Sequence, residues 1–251
     1  MSFQLTKLPQ KLPPLCNDLH QQVLYNAMYG FDISSAQFAV SSPDGKAQAL
    51  QQKGKPLWMR VEKDQGTESL RTFFDVCLYE GIKGLIAEKW VVQQCPQKAT
   101  HIWDIVALYL PQPLPPSPLE LVYPTISDIP MMEEWVSGFY KEALTTIPPA
   151  DIAKSLVQGK KLYALQVKEQ LVSMGMLIPL QYNMSRLNFI YTPPNFRGRG
   201  YGKMVATMLA KKAQEVQNLP VLYARVDNTQ AYNMYKSIGF VEAGRLVELR
   251  F

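Results

Sequence analysis

The stretch LNFIYTPPNFRGRGYGKMVATMLAKK, from Leu187 to Lys212, decides how the second half of the chain is interpreted. An apolar extended run passes through two prolines into a basic, glycine-rich turn, and an amphipathic segment of helical periodicity follows. A strand, a glycine turn and a helix N-terminus together favour anion binding, because the first backbone N–H groups of a helix lack intrahelical partners. The glycines would let the backbone approach a phosphate, and the cations would add charge. The turn consists of Arg197, Gly198, Arg199, Gly200, Tyr201, Gly202 and Lys203.

Two common phosphate-binding loops do not fit this turn. A Walker-type loop requires Ser or Thr after Gly-Lys, and here Met204 follows Lys203. A dinucleotide fingerprint has Gly-x-Gly-x-x-Gly after the first strand of a parallel unit, whereas these glycines alternate and a hairpin precedes them. Two other interpretations stay open. One is a purely structural turn with solvated arginines, and the other is nucleic-acid binding through Arg186, Arg197, Arg199 and Lys211–Lys212.

Composition narrows the class of protein. The 251 residues are 47% hydrophobic and 19% charged, with a net charge of +5, which is ordinary for a globular protein. The basic excess lies mostly in the second half, which favours a localised anionic ligand over a nucleic-acid surface. No run of apolar residues is long enough to span a membrane, and no apolar signal core is present, so we expect a cytoplasmic protein with no membrane partner.

The three cysteines and two histidines do not predict a metal site. An odd number of cysteines, all in the first half, is typical of reduced thiols in the cytoplasm. His20 and His101 are far apart, and no Cys/His spacing resembles that of a metal site. We therefore expect no metal.

A proline-rich segment divides the chain. Five prolines lie within the eight residues from Pro111 to Pro118, which favours extended, semi-rigid backbone. The sequence therefore predicts an N-terminal α/β domain over residues 1–110, a linker over 111–118 and a C-terminal domain over 119–251.

Hydrophobic periodicity in the C-terminal part predicts the order β-α-α-β-β-β-α-β-α-β. The first helix follows a cap at Ser127 or Asp128, and the helix from Gly200 to Val216 is predicted to bury Val205, Met208, Leu209, Ala213 and Val216. The class is α/β (α+β), with a mixed sheet and helices on both faces.

The first half has a related pattern of elements. It reads as a helix over residues 16–28, a hairpin around Pro43–Gly45, a strand over 56–61, a helix capped by Thr67 and a long strand over 101–110. This succession of hairpin, strand, helix and later strand is similar to the centre of the second half.

Two motifs together resemble the GNAT superfamily of acyl-CoA-dependent N-acyltransferases. They are YTPPNFRGRGYG and, about 30 residues later, LYARVDNTQAYNMYKSIGF, and the resemblance covers residues 119–251. Arg197-x-x-Gly200-x-Gly202 fits the pyrophosphate-binding motif of that superfamily. The resemblance implies a mixed, mostly antiparallel sheet flanked by helices, with a smaller first half that is a degenerate copy of the same fold.

The resemblance also implies roles for individual residues. Backbone N–H groups from Arg197 to Gly202 would hold the pyrophosphate of coenzyme A. The strand NFIYT would splay from LYARV, so that Ile190, Tyr191 and Thr192 could bind the pantetheine arm and polarise the thioester carbonyl. Asn228 would contact the coenzyme from the opposite strand.

Tyr235 is the candidate catalytic residue. In the family pattern a tyrosine at this position protonates the departing thiolate and contacts the coenzyme. The alternative is core packing, because Ala231, Tyr235 and Ile238 share one helical face. No general base is assigned, since the strand RLNFIYT contains no acid, although Glu133, Glu134 and Glu142 lie on the first helix.

The sequence thus predicts an N-acetyltransferase that transfers an acetyl group from acetyl-CoA to a primary amine by direct attack in a ternary complex. The acceptor would be a small molecule or a peptide, no metal or nucleic acid would be required, and the protein would be a monomer or homodimer. The alternative is a catalytically inert coenzyme-A-binding sensor or scaffold.

Overall fold

The computed structural model describes residues 18–29, 36–42, 46–52, 55–63, 70–75, 82–116, 120–144 and 148–251. The chain forms two compact units that are interleaved in sequence. Unit 1 comprises Met1–Leu108, Tyr223–Asn228 and Glu242–Phe251, and unit 2 comprises Tyr109–Leu222 and Thr229–Val241. The predicted domain ranges, 1–110 and 119–251, stay a prediction about which parts fold on their own.

The elements of the first half are short. They are α1 Leu19–Leu24, α2 Asn26–Tyr29, β1 Ala36–Ser41, β2 Ala47–Gln52, β3 Leu57–Val61, α3 (70–75), β4 Gly84–Ala87, α4 Lys89–Val92 and β5 His101–Tyr109. The elements of the second half are longer. They are β6 Leu121–Val122, α5 Ile129–Phe139, α6 Ile152–Gln158, β7 Leu162–Val167, β8 Gln170–Leu180, β9 Met184–Tyr191, α7 Tyr201–Glu215, β10 Leu219–Arg225, α8 Thr229–Ile238 and β11 Val241–Arg250.

The sheet of unit 1 has the strand order β1-β2-β3-β4-β11-β5. The strands β1, β2 and β3 are antiparallel, β3 and β4 are parallel, and β4 pairs antiparallel with the C-terminal strand β11. Its core includes Leu57, Met59, Phe73 and Leu85, each no more than 1% exposed. The hairpin and β3 agree with the prediction, whereas β4 and α4 were not predicted.

Two predicted helices of the first half fall partly outside the described residues. The helix predicted over 16–28 is divided into α1 and α2 at Tyr25, and residues 16 and 17 lie outside the described ranges. Thr67, the predicted cap of the later helix, also lies outside them, as does the turn Pro43–Gly45.

The sheet of unit 2 has the order β10-β9-β8-β7-β6. The strands β6 to β9 are antiparallel, and β9 pairs parallel with β10. The predicted fold class, a mixed and mostly antiparallel sheet flanked by helices, is confirmed, and so is the order of elements after Pro118.

Helices α5 and α7 bury one face each, as the periodicity predicted for α7. In α5 the buried residues are Met132, Trp135 and Val136, and in α7 they include Val205 and Leu209. The prediction for Val216 was wrong, since α7 ends at Glu215 and the Val216 side chain is 64% exposed.

The start of α5 differs slightly from the prediction. A short 3₁₀ turn precedes the helix, and there Thr125 and Asp128 form a reciprocal capping box, with Thr125 N–H donating to Asp128 Oδ2 at 2.7 Å. Asp128 is the residue before the first turn of α5, but its side chain caps the 3₁₀ turn instead.

Within the described ranges, no helix has the length and apolar character needed to cross a bilayer. Nor is any group of three or more His, Cys, Asp or Glu side chains found there that could hold a metal ion.

Candidate functional site

The end of β9 contains a β-bulge that the sequence did not predict. Met174 of β8 faces Tyr191, and Met176 faces Asn188, so β9 advances three residues while β8 advances two. Phe189 lies in the bulge with φ of +53°, and its N–H donates to Asn188 Oδ1 at 2.8 Å. The Phe189 ring stacks on Phe139 of α5 at 4.6 Å. The bulge therefore changes the direction of β9 just before Ile190 and Tyr191.

Strands β9 and β10 pair over a short distance only. Their parallel ladder joins Met184–Arg186 to Leu219–Val221 and does not extend to the residues that follow in β9. Ile190 and Tyr191, the last residues of β9, are half-buried. The ladder to β10 therefore stops before the end of β9, and binding of the coenzyme at this end stays a prediction.

The glycine-rich turn after β9 exposes a run of backbone donors. Gly198 and Gly200 have φ of +77° and +78°, and a Cβ at either position would meet nothing within 4 Å. Glycine is therefore required there by backbone conformation and not by crowding. The first hydrogen bond of α7 joins Met204 N–H to Gly200 O at 3.0 Å. Among the described residues, no acceptor is found for the N–H groups from Gly198 to Lys203.

The three cations of the turn differ in their surroundings. Arg199 is exposed and has no side-chain partner in the described part of the chain. Lys203 Nζ lies 3.5 Å from Ser237 O. Arg197 donates hydrogen bonds from three nitrogen atoms: its backbone N–H to Pro194 O, its Nε to Thr192 O at 2.9 Å, and its Nη2 to both carboxylate oxygens of Glu142 at 2.9 Å.

Buried polar contacts fix the junction between β9 and the turn. Ser173 of β8 is completely buried; its Oγ donates to Tyr191 O at 3.0 Å and lies 2.9 Å from Thr192 Oγ1. A Cβ at Gly202 would lie 3.2 Å from the same Thr192 Oγ1, so α7 begins in close contact with this junction. Sequence reasoning missed Ser173, because a serine within a strand gives no signal of its hydrogen-bond partner.

Tyr191 connects the junction to α5. Its hydroxyl packs against Gly138, where a Cβ would lie 2.6 Å from Tyr191 Cζ, and its ring lies 5.6 Å from the Arg197 guanidinium carbon. Burial raises the pKa of the Tyr191 hydroxyl, and the Glu142 carboxylate raises it further, while Arg197 partly offsets both. At neutral pH the phenol is therefore un-ionised.

Tyr235 lies on α8, where its side chain is 8% exposed and its ring contacts Phe240 edge to face at 5.8 Å. Burial raises the pKa of Tyr235 far above the usual value for a phenol. No hydrogen-bond partner for its hydroxyl is present among the described residues. The ring packs in the core, as one interpretation expected, but the hydroxyl keeps its proton available for donation.

The remaining candidates are distributed as follows. Tyr201 is half-buried in the first turn of α7. Asn228 belongs to unit 1, where its N–H donates to Arg225 O at 3.2 Å. Arg186 is 8% exposed within β9, so the basic surface considered for nucleic acid lacks one of its members. Glu133 and Glu134 are exposed on α5.

Comparison with known proteins supports the same class of fold. Residues 176–249 match the family model described as FR47-like protein. A GNAT-family acetyltransferase structure from Colwellia psychrerythraea is similar over 96% of this chain and 92% of its own, with 15% identity and a TM-score of 0.57. A GCN5-related N-acetyltransferase from Kribbella flavida is similar over 94% of this chain and 96% of its own, with 10% identity and a TM-score of 0.60.

A third structure, a GCN5-related N-acetyltransferase from Sphaerobacter thermophilus, covers 85% of this chain and 79% of its own, with 14% identity and a TM-score of 0.59. A search of curated proteins by sequence gave no match. The chain thus has the fold of these GNAT-family structures, as the resemblance implied, and residues 176–249 match the FR47-like family model. The roles of single residues, and the origin of the first half in the same fold, stay predictions.

Proposed function

We propose that the protein is an N-acyltransferase that transfers an acetyl group from acetyl-CoA to a primary amine of a small molecule or peptide. The observation that carries this proposal is the run of unpartnered N–H groups from Gly198 to Lys203, directly after a strand end that has separated from its parallel neighbour. Such donors at a helix N-terminus suit a pyrophosphate, and Arg199 adds a cation without another partner among the described residues.

The open end of β9 suits the arm of the coenzyme. A linear amide-containing chain such as pantetheine can pair with exposed backbone in the manner of an added strand. Ile190, Tyr191 and Thr192 lie at this end, although Tyr191 O and Thr192 O already accept hydrogen bonds from Ser173 and Arg197. Contacts to the coenzyme would therefore use backbone groups other than these two carbonyls.

The reaction proposed is direct attack. The neutral amine nitrogen attacks the thioester carbonyl carbon, the new C–N bond forms, and the C–S bond breaks as the tetrahedral intermediate collapses. The Tyr235 hydroxyl donates its proton to the departing sulfur, and the raised pKa keeps that proton in place at neutral pH. The attacking nitrogen loses its proton to water, since β9 carries no acid and Glu142 is paired with Arg197.

Coenzyme A release from acetyl-CoA, measured against a panel of primary amines, tests this function. We expect turnover with at least one class of amine and a fall in kcat of about 10- to 100-fold in Tyr235→Phe, with the affinity for acetyl-CoA unchanged. Because the phenol stays un-ionised, the activity that depends on Tyr235 should persist at pH 9. Tyr123→Phe, directly after the edge strand β6, is the matched control. Binding of acetyl-CoA without turnover of any amine would favour the inert sensor instead.

A further inference from the structure

Arg197 occupies the first position of the glycine-rich motif, yet its side chain is directed towards α5. Its Nη2 lies 2.9 Å from each oxygen of Glu142, and its Nε lies 2.9 Å from Thr192 O. The same guanidinium lies over the Tyr191 ring. The Arg197 side chain thus joins the end of β9 to Glu142, which lies 55 positions before Arg197 in the sequence.

The geometry uses the shape of the arginine side chain. A planar guanidinium can donate from Nη2 to a carboxylate while Nε donates to a carbonyl, whereas a lysine ammonium is a point charge at the end of a flexible chain. Lysine could keep the charge but could not hold Thr192 O and Glu142 in this arrangement.

Glu142 lies in an unusual part of the backbone. The helix α5 ends at Phe139, and residues Tyr140–Leu144 continue it as a π-helical turn. π-helical turns are rare, and they occur frequently at functional sites. The Arg197 contact and the packing of Tyr191 on Gly138 both hold this end of α5 against the end of β9.

We propose that Arg197 and Glu142 are a positioning pair for the acyl-transfer reaction, and that the Arg197 side chain acts through this clamp and not as a ligand of the pyrophosphate. The inference rests on the proposed function, because the pair would position the residues beside which the thioester would lie. The clamp sets the position of Tyr191 and Thr192, while the phosphate-binding donors from Gly198 onwards remain independent of it.

The exposure of the pair separates this role from folding. The side chains of Arg197 and Glu142 are 41% and 48% exposed, and ion pairs at such exposure contribute little to stability. Loss of the clamp should therefore leave the protein folded and move a local segment. That makes kinetic and local readouts more informative than melting temperature.

The experiment compares Glu142→Gln, Arg197→Gln, Arg197→Lys and the double variant Glu142→Gln/Arg197→Gln with the wild type. We expect each single variant to lower kcat about tenfold with less than a threefold change in Kd for acetyl-CoA, and the double variant to be no worse than either single one. Arg197→Lys should behave like Arg197→Gln, because the charge alone does not restore the clamp. Glu133→Gln, an exposed carboxylate on the same helix, is the matched control.

A second readout does not depend on activity. Hydrogen–deuterium exchange should become faster over residues 192–197 in Glu142→Gln, although that substitution is distant in sequence, and should stay unchanged in Glu133→Gln. Additive losses of kcat in the double variant would show that Arg197 and Glu142 act independently. A tenfold rise in Kd in Arg197→Gln alone would show that Arg197 is a coenzyme ligand. Either result would overturn the proposal. Unchanged exchange together with unchanged kcat would also overturn it. If the wild type does not bind acetyl-CoA, the proposed function fails, and the exchange result still decides whether the clamp exists.

Discussion

Both units contain a pair of parallel neighbouring strands, and the two pairs differ in the burial of their ends. In unit 1, β3 and β4 pair over Leu57–Trp58 and Leu85–Ile86, and α3 lies between them in the chain. In unit 2, β9 and β10 pair over three residues, and α7 lies between them. Three antiparallel strands, β1 to β3, lead into the pair in unit 1, and four, β6 to β9, lead into the pair in unit 2.

The two pairs differ in how deeply the ends of their strands are buried. The last residues of β3, from Met59 to Val61, are buried, and all of β4 is buried as well. Even the Arg60 side chain is only 9% exposed, with its Nη2 bound to Glu62 Oε1 at 2.8 Å. The end of β9 is half-open instead, and exposed donors follow it. The parallel pair of unit 1, here called the closed junction, therefore ends in buried residues. That of unit 2, here called the open junction, ends in half-buried residues that are followed by exposed donors.

The largest effect is expected from Gly200→Glu, which would place a carboxylate among the donors of the open junction and force a side chain into a left-handed backbone conformation. We expect acetyl-CoA binding to be lost. At a coenzyme concentration of 100 times Kd, binding adds about 2.7 kcal/mol of stability. The wild type should therefore melt roughly 5–10 °C higher with acetyl-CoA than without it, and the variant should show no rise.

Gly200→Asn is the control for this substitution, because asparagine tolerates the left-handed region and adds no charge. It should keep most of the rise in melting temperature. If Gly200→Glu binds acetyl-CoA as well as the wild type does, the turn is structural and the contrast between the two junctions has no functional meaning.

Leu85→Ala should act in the opposite way, since it lies in the closed junction. Leu85 is 1% exposed within the core of unit 1, and removing a buried leucine costs about 2–5 kcal/mol. We expect a clear loss of stability in chemical denaturation with an unchanged Kd for acetyl-CoA. Leu85→Met conserves volume and should cost less than about 1.5 kcal/mol. A folded Leu85→Ala protein with greatly weakened coenzyme binding would show that the two junctions are not independent.

Much of unit 2 could be predicted from the sequence because its signals are local and long. The helix α7 and strands β7 to β9 each extend over at least six residues with clear periodicity. The glycines of the turn were selected because a backbone without Cβ can approach a phosphate, and that role stays a prediction. The positive φ of Gly198 and Gly200 is a separate reason for glycine, which the sequence analysis did not state. The predicted run of backbone donors began at Arg197, but the Arg197 N–H is already bound to Pro194 O. The run of donors without a partner therefore begins after Arg197.

What could not be predicted depends on distant contacts. The strand β4 and helix α4 have four residues each, too few for a periodic pattern. The pairing of β11 with β4 joins residues more than 150 positions apart. The contacts of Ser173 and of Arg197 with Glu142 likewise depend on which strands and helices become neighbours. A sequence pattern indicates which face of an element is buried, but it does not identify the partner.

The smallest effect is expected from Arg199→Gln, which tests the contribution of a single charge at the open junction. Arg199 is exposed beside the donors of the open junction, and its contribution to binding would be long-range attraction to the pyrophosphate. We expect a rise in Kd for acetyl-CoA of about 3- to 10-fold at low salt, which corresponds to roughly 1 kcal/mol. At about 0.5 M salt the difference from the wild type should fall to roughly twofold, because the screening length becomes a few ångströms.

Lys154→Gln, an exposed cation on α6, is the control for net charge and should leave Kd unchanged at both salt concentrations. Equal affinities of Arg199→Gln and the wild type at low salt would mean that backbone donors alone hold the phosphates. The arginine would then be no more than a solvated residue of the turn.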